Sequence, residues 1–404
     1  MRIDRERLRV MIEELGEIGA DPEGGISRIA YTPVWEDGIL YVEKRMEEAG
    51  MQTRRDAIGN LFGIYPGRTD QILLTGSHID TVPHGGMFDG ALGVLAAVEA
   101  VHTLRESDIQ PEHTILTAVW AEEEGNRVFT GIGSGAFCGQ IPEMSELNQE
   151  KLHQAGHSMQ NVRDSVFDGL DRIDASLELH IEQGAVLEKA GVQIGIVEGI
   201  FGLHRYETTV FGTADHAGTT PMDMRDDAMV KAARLICELE ELTKKTDPQM
   251  VCTTGWLRAE PGMNNIIAEK VTMMVECRGM NEEALRVVRS YIASRYGEGG
   301  THIEDTLILP PVPMSQACRE AVRDAASELG FTSMPVFSGA GHDSECLAHA
   351  IPDTGMIFVR SRGGKSHCPQ EWTDWEDCAA GADVLLHALM KLDIQARGDR
   401  KSVV

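Results

Sequence analysis

The amino-acid sequence predicts an α/β protein in which a small β-α-β-β-α-β unit interrupts a larger domain. Three observations lead there. Short apolar runs ending in glycine alternate with helix-period segments up to residue 202. The pattern then changes to longer, alternating strands between residues 203 and 313. After a stiff exit, Pro310-Pro311-Val312-Pro313, short apolar runs and helix-period segments return from residue 314 to 404. The larger domain is therefore expected to be discontinuous, 1–202 with 314–404, around an inserted unit at 203–313. A length of 404 residues suits that division.

Taken in order, residues 4–19 place Leu8, Ile12 and Leu15 on one helical face, and residues 35–50 do the same with Ile39, Val42 and Met46. Residues 58–65 and 71–76 read as strands, and Ala91 to Leu104 as a helix of small residues suited to burial under a sheet. Ile115 to Trp120 is a buried strand that runs directly into Glu122-Glu123-Glu124-Gly125. Residues 140–170 are polar and read as short helices and loops, and Leu177 to Gly184 is strand-like. In the insert, strand 205–211, helix 223–245, strands 251–258 and 271–278, helix 282–296 and strand 302–309 follow the order of a ferredoxin-like unit. The larger domain then resumes with helix 315–329, strands 334–337 and 355–359, and helix 374–392. The last ten residues are polar and expected to fray.

Acidic residues outnumber basic ones by 64 to 37, a net charge of −27 that argues against nucleic acid or an anionic membrane as partner. No apolar run is long enough to span a bilayer, and the charged start Met1-Arg2-Ile3-Asp4-Arg5-Glu6-Arg7 lacks the core of a signal peptide. The eight cysteines form no CxxC pair, so reduced thiols in a cytoplasmic protein are expected.

Chemistry concentrates where strands end. After the apolar run Ile72-Leu73-Leu74 comes Gly76-Ser77-His78-Ile79-Asp80-Thr81-Val82-Pro83-His84-Gly85-Gly86-Met87-Phe88-Asp89-Gly90. His78 and Asp80 point the same way on an extended chain, so a carboxylate can support an imidazole that binds metal through its other nitrogen. The stretch also reads as a plain polar loop. Three successive carboxylates, Glu122 to Glu124, repel one another unless a cation or solvent relieves them; one could bind metal while its neighbour acts as a base. A solvated acidic loop is the other reading. His180 before Ile181-Glu182-Gln183-Gly184, and His367 in Ser366-His367-Cys368-Pro369, are weak signals singly. Together these residues form a nitrogen and oxygen donor set suited to a borderline cation.

Five motifs, in order, resemble the N-carbamoyl-L-amino-acid hydrolase and allantoate amidohydrolase branch of the two-metal aminoacylase/carboxypeptidase superfamily, peptidase family M20. They are Gly76 to Val82 with Gly85 to Gly90, Glu122 to Gly125, Glu178 to Gly184, His216-Ala217-Gly218-Thr219-Thr220-Pro221-Met222, and Ser366 to Pro369. Ser338-Gly339-Ala340-Gly341-His342-Asp343 also fits. The resemblance implies a mixed sheet with helices on both faces for the metal-binding catalytic domain. For the insert it implies a dimerisation or lid domain that joins a homodimer.

It further implies two divalent ions per subunit, Zn²⁺ or Mn²⁺, with Co²⁺ or Ni²⁺ also acceptable to such donors. His78, Asp89 and His180 would hold one ion, and Asp89, Glu124 and His367 the other. Asp80 would orient His78, and Glu123 would be the general base for a water bridging the ions. His216 would steady the oxyanion, across the dimer in relatives. Asn265 and Arg278 match positions that hold the substrate carboxylate, and Gln183 and Gly341 are further polar contacts. The implied reaction is hydrolysis of the ureido or amide C–N bond of an N-carbamoyl-L-amino acid. Allantoate-type ureido acids come next, then N-acyl amino acids and dipeptides; a metal-binding scaffold without activity is the alternative of another class.

Two features depart from the pattern. Arg360-Ser361-Arg362-Gly363-Gly364-Lys365 sets three cations before His367, and Arg360 or Arg362 is expected to meet a second anionic group on the substrate, or else a solvated loop or dimer contact. Gly202-Leu203-His204-Arg205-Tyr206 carries a histidine where relatives more often place arginine or a bulky residue.

Overall fold

The computed structural model describes residues 1–140, 143–296 and 299–401. It divides into two compact units, Met1–Glu198 with Met314–Val404, and Gly199–Pro313. The boundary expected from the sequence, 202/203, falls four residues later than the first crossing. Strand β6 carries the chain across without a break, so no change of pattern marks the boundary.

The larger unit is built on one mixed sheet. Its strands in chain order are β1 (Gln52–Arg55), β2 (Leu61–Tyr65), β3 (Ile72–His78), β4 (Thr114–Trp120), β5 (Ile173–Ile181) and β6 (Ile194–Ile200). In the second unit follow β7 (Gly202–Phe211), β8 (Val251–Glu260), β9 (Lys270–Gly279), β10 (Thr301–Leu309) and β11 (Val312–Pro313), and the larger unit ends with β12 (Ser333–Ser338) and β13 (Thr354–Val359). The larger sheet runs β1-β2-β4-β3-β5-β13-β6-β11, with β12 also on β6. Its centre is parallel: β4 with β3, β3 with β5, and β5 with β13. Parallel central strands are buried on both faces and read as apolar runs, as β3 and β4 do. Their shared direction brings His78, the Glu122 loop and His180 to one edge, where ligand sites of α/β sheets gather.

Helix Ala91–Glu106 follows β3 and is buried along nearly its whole length, with small residues that let it lie close to the sheet. Helix Arg5–Glu17 starts where Asp4 accepts the N–H groups of Glu6 and Arg7, and helix Pro33–Glu48 where Thr32 accepts that of Trp35. The last helix runs Trp375–Lys401, so residues 395–401 continue it where fraying was expected; residues 402–404 lie outside the described ones. In the 140–170 stretch, helices Glu146–Gln154 and Met159–Asp164 form, and residues 141–142 lie outside the description. No described helix is long and apolar enough to cross a membrane.

The second unit has strand order β10-β7-β9-β8, all antiparallel. Helices Ala228–Thr246 and Glu282–Ser294 bury their apolar stripes against Tyr206, Val210, Val271, Met273, Val275 and Cys277. The alternate residues of β9, Met274, Glu276 and Arg278, are half-buried on the other face. The departure noted at His204 is structural: its Nδ1 lies 2.9 Å from the Tyr206 hydroxyl and its Nε2 3.3 Å from Glu282.

The final helix is fastened to the sheet by an ion triad centred on the buried His113. His113 places Nδ1 2.8 Å from Asp393 and Nε2 2.8 Å from Asp174. Burial would lower the imidazole's pKa, but the two carboxylates outweigh it and raise it above the ordinary value. The proton is thus held more tightly in the folded state, so the added stability is complete below the unfolded pKa of about 6.5 and is lost as pH rises through the higher folded value. His113→Gln is expected to cost about 2 kcal/mol at pH 6. The difference from wild type in urea unfolding should shrink toward pH 9; a pH-independent difference would contradict a charged His113.

Candidate metal centre

Two triads of donors share one residue. Ligand atoms of His78, Asp89 and His180 lie within 4.8 Å of one another, as do those of Asp89, Glu124 and His367. Asp89 divides its carboxylate between them. Oδ1 lies 3.1 Å from His180 Nε2 and 4.0 Å from His78 Nε2, while Oδ2 lies 3.1 Å from His367 Nε2. His367 Nε2 is also 3.5 Å from Glu124 Oε1.

Backbone carbonyls set the tautomers of the two buried histidines. His78 Nδ1 is 3.0 Å from the Asp80 carbonyl and His180 Nδ1 2.9 Å from the Ile181 carbonyl. With Nδ1–H donating there, each Nε2 lone pair faces the centre, the orientation a metal ligand requires. The Gly90 N–H points at His180 Nε2 from 3.3 Å, as suits an acceptor. Buried Asp89 Oδ1 has no hydrogen-bond donor. Two acceptors facing each other at 3.1 Å repel unless a proton or a metal cation lies between them. The donor set and this orphaned oxygen fit divalent cations.

The carboxylates around the centre have the same need. Burial pushes Glu123 well above the usual carboxylate range, with His78 opposing, and lifts Glu124 to about 7 with help from Asp89. With protons on the Nε2 atoms of His180 and His367, the two rings outweigh burial at Asp89 and hold it well below. His367 rises to about 9, chiefly through Asp89. So many close carboxylates are neutralised only by protons or by bound cations.

The acidic loop separates into three roles. Glu122 takes a left-handed backbone, φ 60°, and turns away to accept the N–H groups of Arg127 and Val128. Glu123 brings Oε2 to 3.7 Å from His78 Nε2 without joining either triad. Glu124 belongs to the second triad. Asp80 faces His78 with two groups: its carbonyl lies 3.0 Å from Nδ1 and its Oδ1 3.6 Å from the same nitrogen. The carboxylate is occupied by the N–H groups of Glu123 and Glu124, at 3.4 and 3.1 Å, so Asp80 ties the histidine loop to the acidic loop.

Gln183 donates from Nε2 to Asp89 Oδ2 at 3.0 Å, and Gly341 is exposed just before the helix Asp343–Ala350. Arg360, expected to meet a substrate anion or else to lie in a solvated loop or dimer contact, donates from Nε and a terminal nitrogen to Asp377 at 2.8 and 2.7 Å, and Arg362 pairs with Asp374. These partners lie in the first turn of the last helix or just before it, out of view in a local reading of the basic loop.

In the second unit, His216 and Asn265 come together. His216 forms a bridge with Ile266, and the Ala217 N–H donates to the Asn265 carbonyl. His216 Nδ1 accepts the N–H groups of Gly218 and Thr219 at 3.0 and 3.2 Å, which leaves the ring proton on the exposed Nε2. Arg278 sits on β9, with its guanidinium against Glu276.

Two buried acids were not among the residues expected from the sequence. Glu371 Oε1 accepts the N–H groups of Phe88 and Asp89 at 3.0 and 3.1 Å, and Oε2 accepts Ser366 Oγ at 2.9 Å. A side chain at Gly86 would fall 2.0 Å from the Glu371 carboxyl, so only glycine lets Glu371 under the loop. Asp343 is buried close to the centre, and burial, then Glu178, raises it to about 8. Asp343 closes the Ser338 to Asp343 motif and Glu371 follows the His367 motif by two residues, but neither is given a role by the sequence. Glu371→Ala is expected to weaken metal binding about 10- to 100-fold in competition with a chromophoric chelator. Unchanged affinity would mean that Glu371 does not hold Asp89 in place.

Comparison with known proteins agrees with this geometry. Residues 74–391 match the profile of Peptidase family M20/M25/M40. The chain is 39% identical to an N-carbamoyl-L-amino acid amidohydrolase of Geobacillus stearothermophilus, over 96% of this chain and 99% of that one. It is 36% identical to an allantoate amidohydrolase of Bacillus subtilis (strain 168), over 94% and 96%. The crystal structure of an amidase of the hydantoinase/carbamoylase family from Burkholderia multivorans superposes with a TM-score of 0.87 at 34% identity, over 97% and 98% of the two chains. With its donor triads at the ends of parallel strands and this breadth of match, the chain belongs to the M20/M25/M40 peptidase family.

Proposed function

We propose that the protein is a metal-dependent amidohydrolase that cleaves the ureido C–N bond of an N-carbamoyl-L-amino acid, giving the amino acid, ammonia and carbon dioxide. The observation that carries the reading is Asp89, whose oxygens face two separate donor sets while Glu123 stands beside them outside both. Relatives named as N-carbamoyl-L-amino-acid amidohydrolases, at 39% and 36% identity, support the substrate class. The allantoate amidohydrolase relatives support a second reading, an allantoate-type ureido acid.

His78, Asp89 and His180 would hold one divalent ion and Asp89, Glu124 and His367 a second, Zn²⁺ or Mn²⁺ suiting these donors. When bound, such a pair supplies Lewis acidity to the scissile carbonyl and to the attacking water. Glu123, with Oε2 beside the centre, takes a proton from that water and hands it to the leaving nitrogen. Asp80 keeps Glu123 and Glu124 in register by gripping their N–H groups. In this reading His216, with its proton on Nε2, would donate to the oxyanion developing in the partner subunit's centre. Asn265 and Arg278 hold the substrate carboxylate, Arg278 through its planar fork. Gln183 and Gly341 complete the polar lining.

A homodimer through the second unit is part of this reading. The edge strand β8 is exposed along most of its length, with Trp256 47% accessible, and such an open apolar edge invites pairing with a second copy. A sedimentation mass of one chain would remove the dimer. The eight free cysteines suit a reducing compartment, here the cytoplasm.

Chelation should abolish ammonia release, and Zn²⁺ or Mn²⁺ should restore it. Glu123→Ala should keep its metal and lose about 10²- to 10⁴-fold in kcat; full activity would overturn the mechanism. An ammonia-release screen over N-carbamoyl-L-amino acids, allantoate and N-acyl amino acids chooses between the substrate readings.

A further inference from the structure

Two thiols of the second unit touch across neighbouring strands. Cys252 on β8 and Cys277 on β9 stand directly opposite each other in the antiparallel register, and Cys277 directs its S–H at Cys252 Sγ from 3.3 Å. Directly opposed residues of antiparallel strands have Cα atoms about 4.5–5.5 Å apart, inside the range of about 4.4–6.8 Å that a disulfide spans. The sulfurs need only close to about 2.05 Å to bond. Both side chains lie on the sheet face that carries the helices: Cys277 is buried in that core, and the half-buried Cys252 packs against it. Strand β8 has room to adjust, because it is an edge strand whose register with β9 shifts between Thr254 and Trp256, just beyond Cys252.

The two sulfurs are unequal. Cys252 accepts the hydrogen bond and is the more exposed; the bond from Cys277, with Thr243 helping, outweighs burial and holds its thiol below the ordinary value. Cys277, which donates, is pushed up by that same bond and by burial. An oxidant therefore meets the more readily ionised sulfur at Cys252, with a second sulfur already behind it. That is the arrangement of an attacking and a resolving cysteine.

We propose that Cys252 and Cys277 form a reversible disulfide when oxidised by hydrogen peroxide, and that the bond tethers the edge strand β8 to β9. The Cys252 thiolate attacks the O–O bond and takes one oxygen as sulfenic acid; the hydroxide released combines with the proton that Cys252 gave up. The Cys277 sulfur then displaces that oxygen, which leaves as water with the Cys277 proton. Two thiols and one hydrogen peroxide give one disulfide and two waters. In a reducing compartment the pair rests as thiols, and exchange with a thiol reductant restores it after oxidation. The donor triads of the metal centre contain no cysteine, so closing the bond consumes none of them. A covalent link across β8 opposes the local opening to which an exposed edge strand is prone.

The test treats the purified protein with hydrogen peroxide, denatures it, alkylates the remaining thiols and reads a tryptic digest by mass spectrometry without reductant. Trypsin cuts after Arg258 and Lys270, so the two cysteines fall on separate peptides. The expected product joins these peptides, is lighter by two hydrogens than the separate pair, and is parted by dithiothreitol. Amide exchange along β8 should slow about tenfold in the linked protein. With Cys277→Ser, Cys252 should stop at the sulfenic acid and take up dimedone, whereas with Cys252→Ser, Cys277 should stay reduced at the same peroxide dose. Both thiols still alkylated, either one oxidised without being joined, or Cys252 joined to Cys237 instead, would overturn the pair. The wild-type digest decides this even where a variant fails to fold. Dimedone on Cys277 overturns the order of attack, and unchanged exchange in the linked protein overturns the tether.

Discussion

A single buried carboxylate, Asp89, has to present its two oxygens in opposite directions, and much of the larger unit is arranged around that demand. An ionised carboxylate away from water is costly unless every direction in which it points is answered. On one side the answer is two histidines from adjacent parallel strands, on the other a histidine and a glutamate from loops. Its own N–H is gripped by Glu371, which comes from 282 positions further along the chain. Gly90 lets the His78 ring approach the loop, since a side chain there would meet the ring at 2.5 Å. The parallel register of β3, β4 and β5 sets the spacing on which these contacts rest.

A second regularity is that backbone groups, more than side chains, fix the protons. Carbonyls of Asp80 and Ile181 hold the Nδ1 hydrogens of His78 and His180, and amides of Gly218 and Thr219 occupy Nδ1 of His216. The first arrangement leaves a lone pair facing the centre and the second leaves a donor. Which main-chain group stands behind the ring thus decides whether a histidine turns a lone pair or an N–H outward. Carboxylates then act as braces between loops, as Asp80 and Glu371 do.

The same physics decides what is legible in the sequence. Buried strands such as β3 and β4 announce themselves as apolar runs, and the donors at their ends fall within recognisable motifs. The polar edge strand Gln52–Arg55 does not, because it pairs only with β2 and carries almost no buried side chain. Strand Ile194–Ile200, interrupted by two glycines, has no period to follow. The closest partner of His78 was invisible because it is a carbonyl, and Glu371 because its contact is set by the fold rather than by spacing. Arg360 looked available for a ligand since Asp377, seventeen positions away, belongs to the next helix.

The interruption of the larger unit also orders events as the chain is made. The first donor triad is complete once residue 180 has emerged, but the second lacks His367 until the whole insert, Gly199–Pro313, has been synthesised. Strand β13, which pairs with β5, and the helix that carries Asp393 arrive later than the insert as well. A nascent chain can therefore assemble the insert, with its own core, before the centre of the sheet is filled. The three residues of the first triad are thus made long before His367, and both triads together need the chain at least through residue 367.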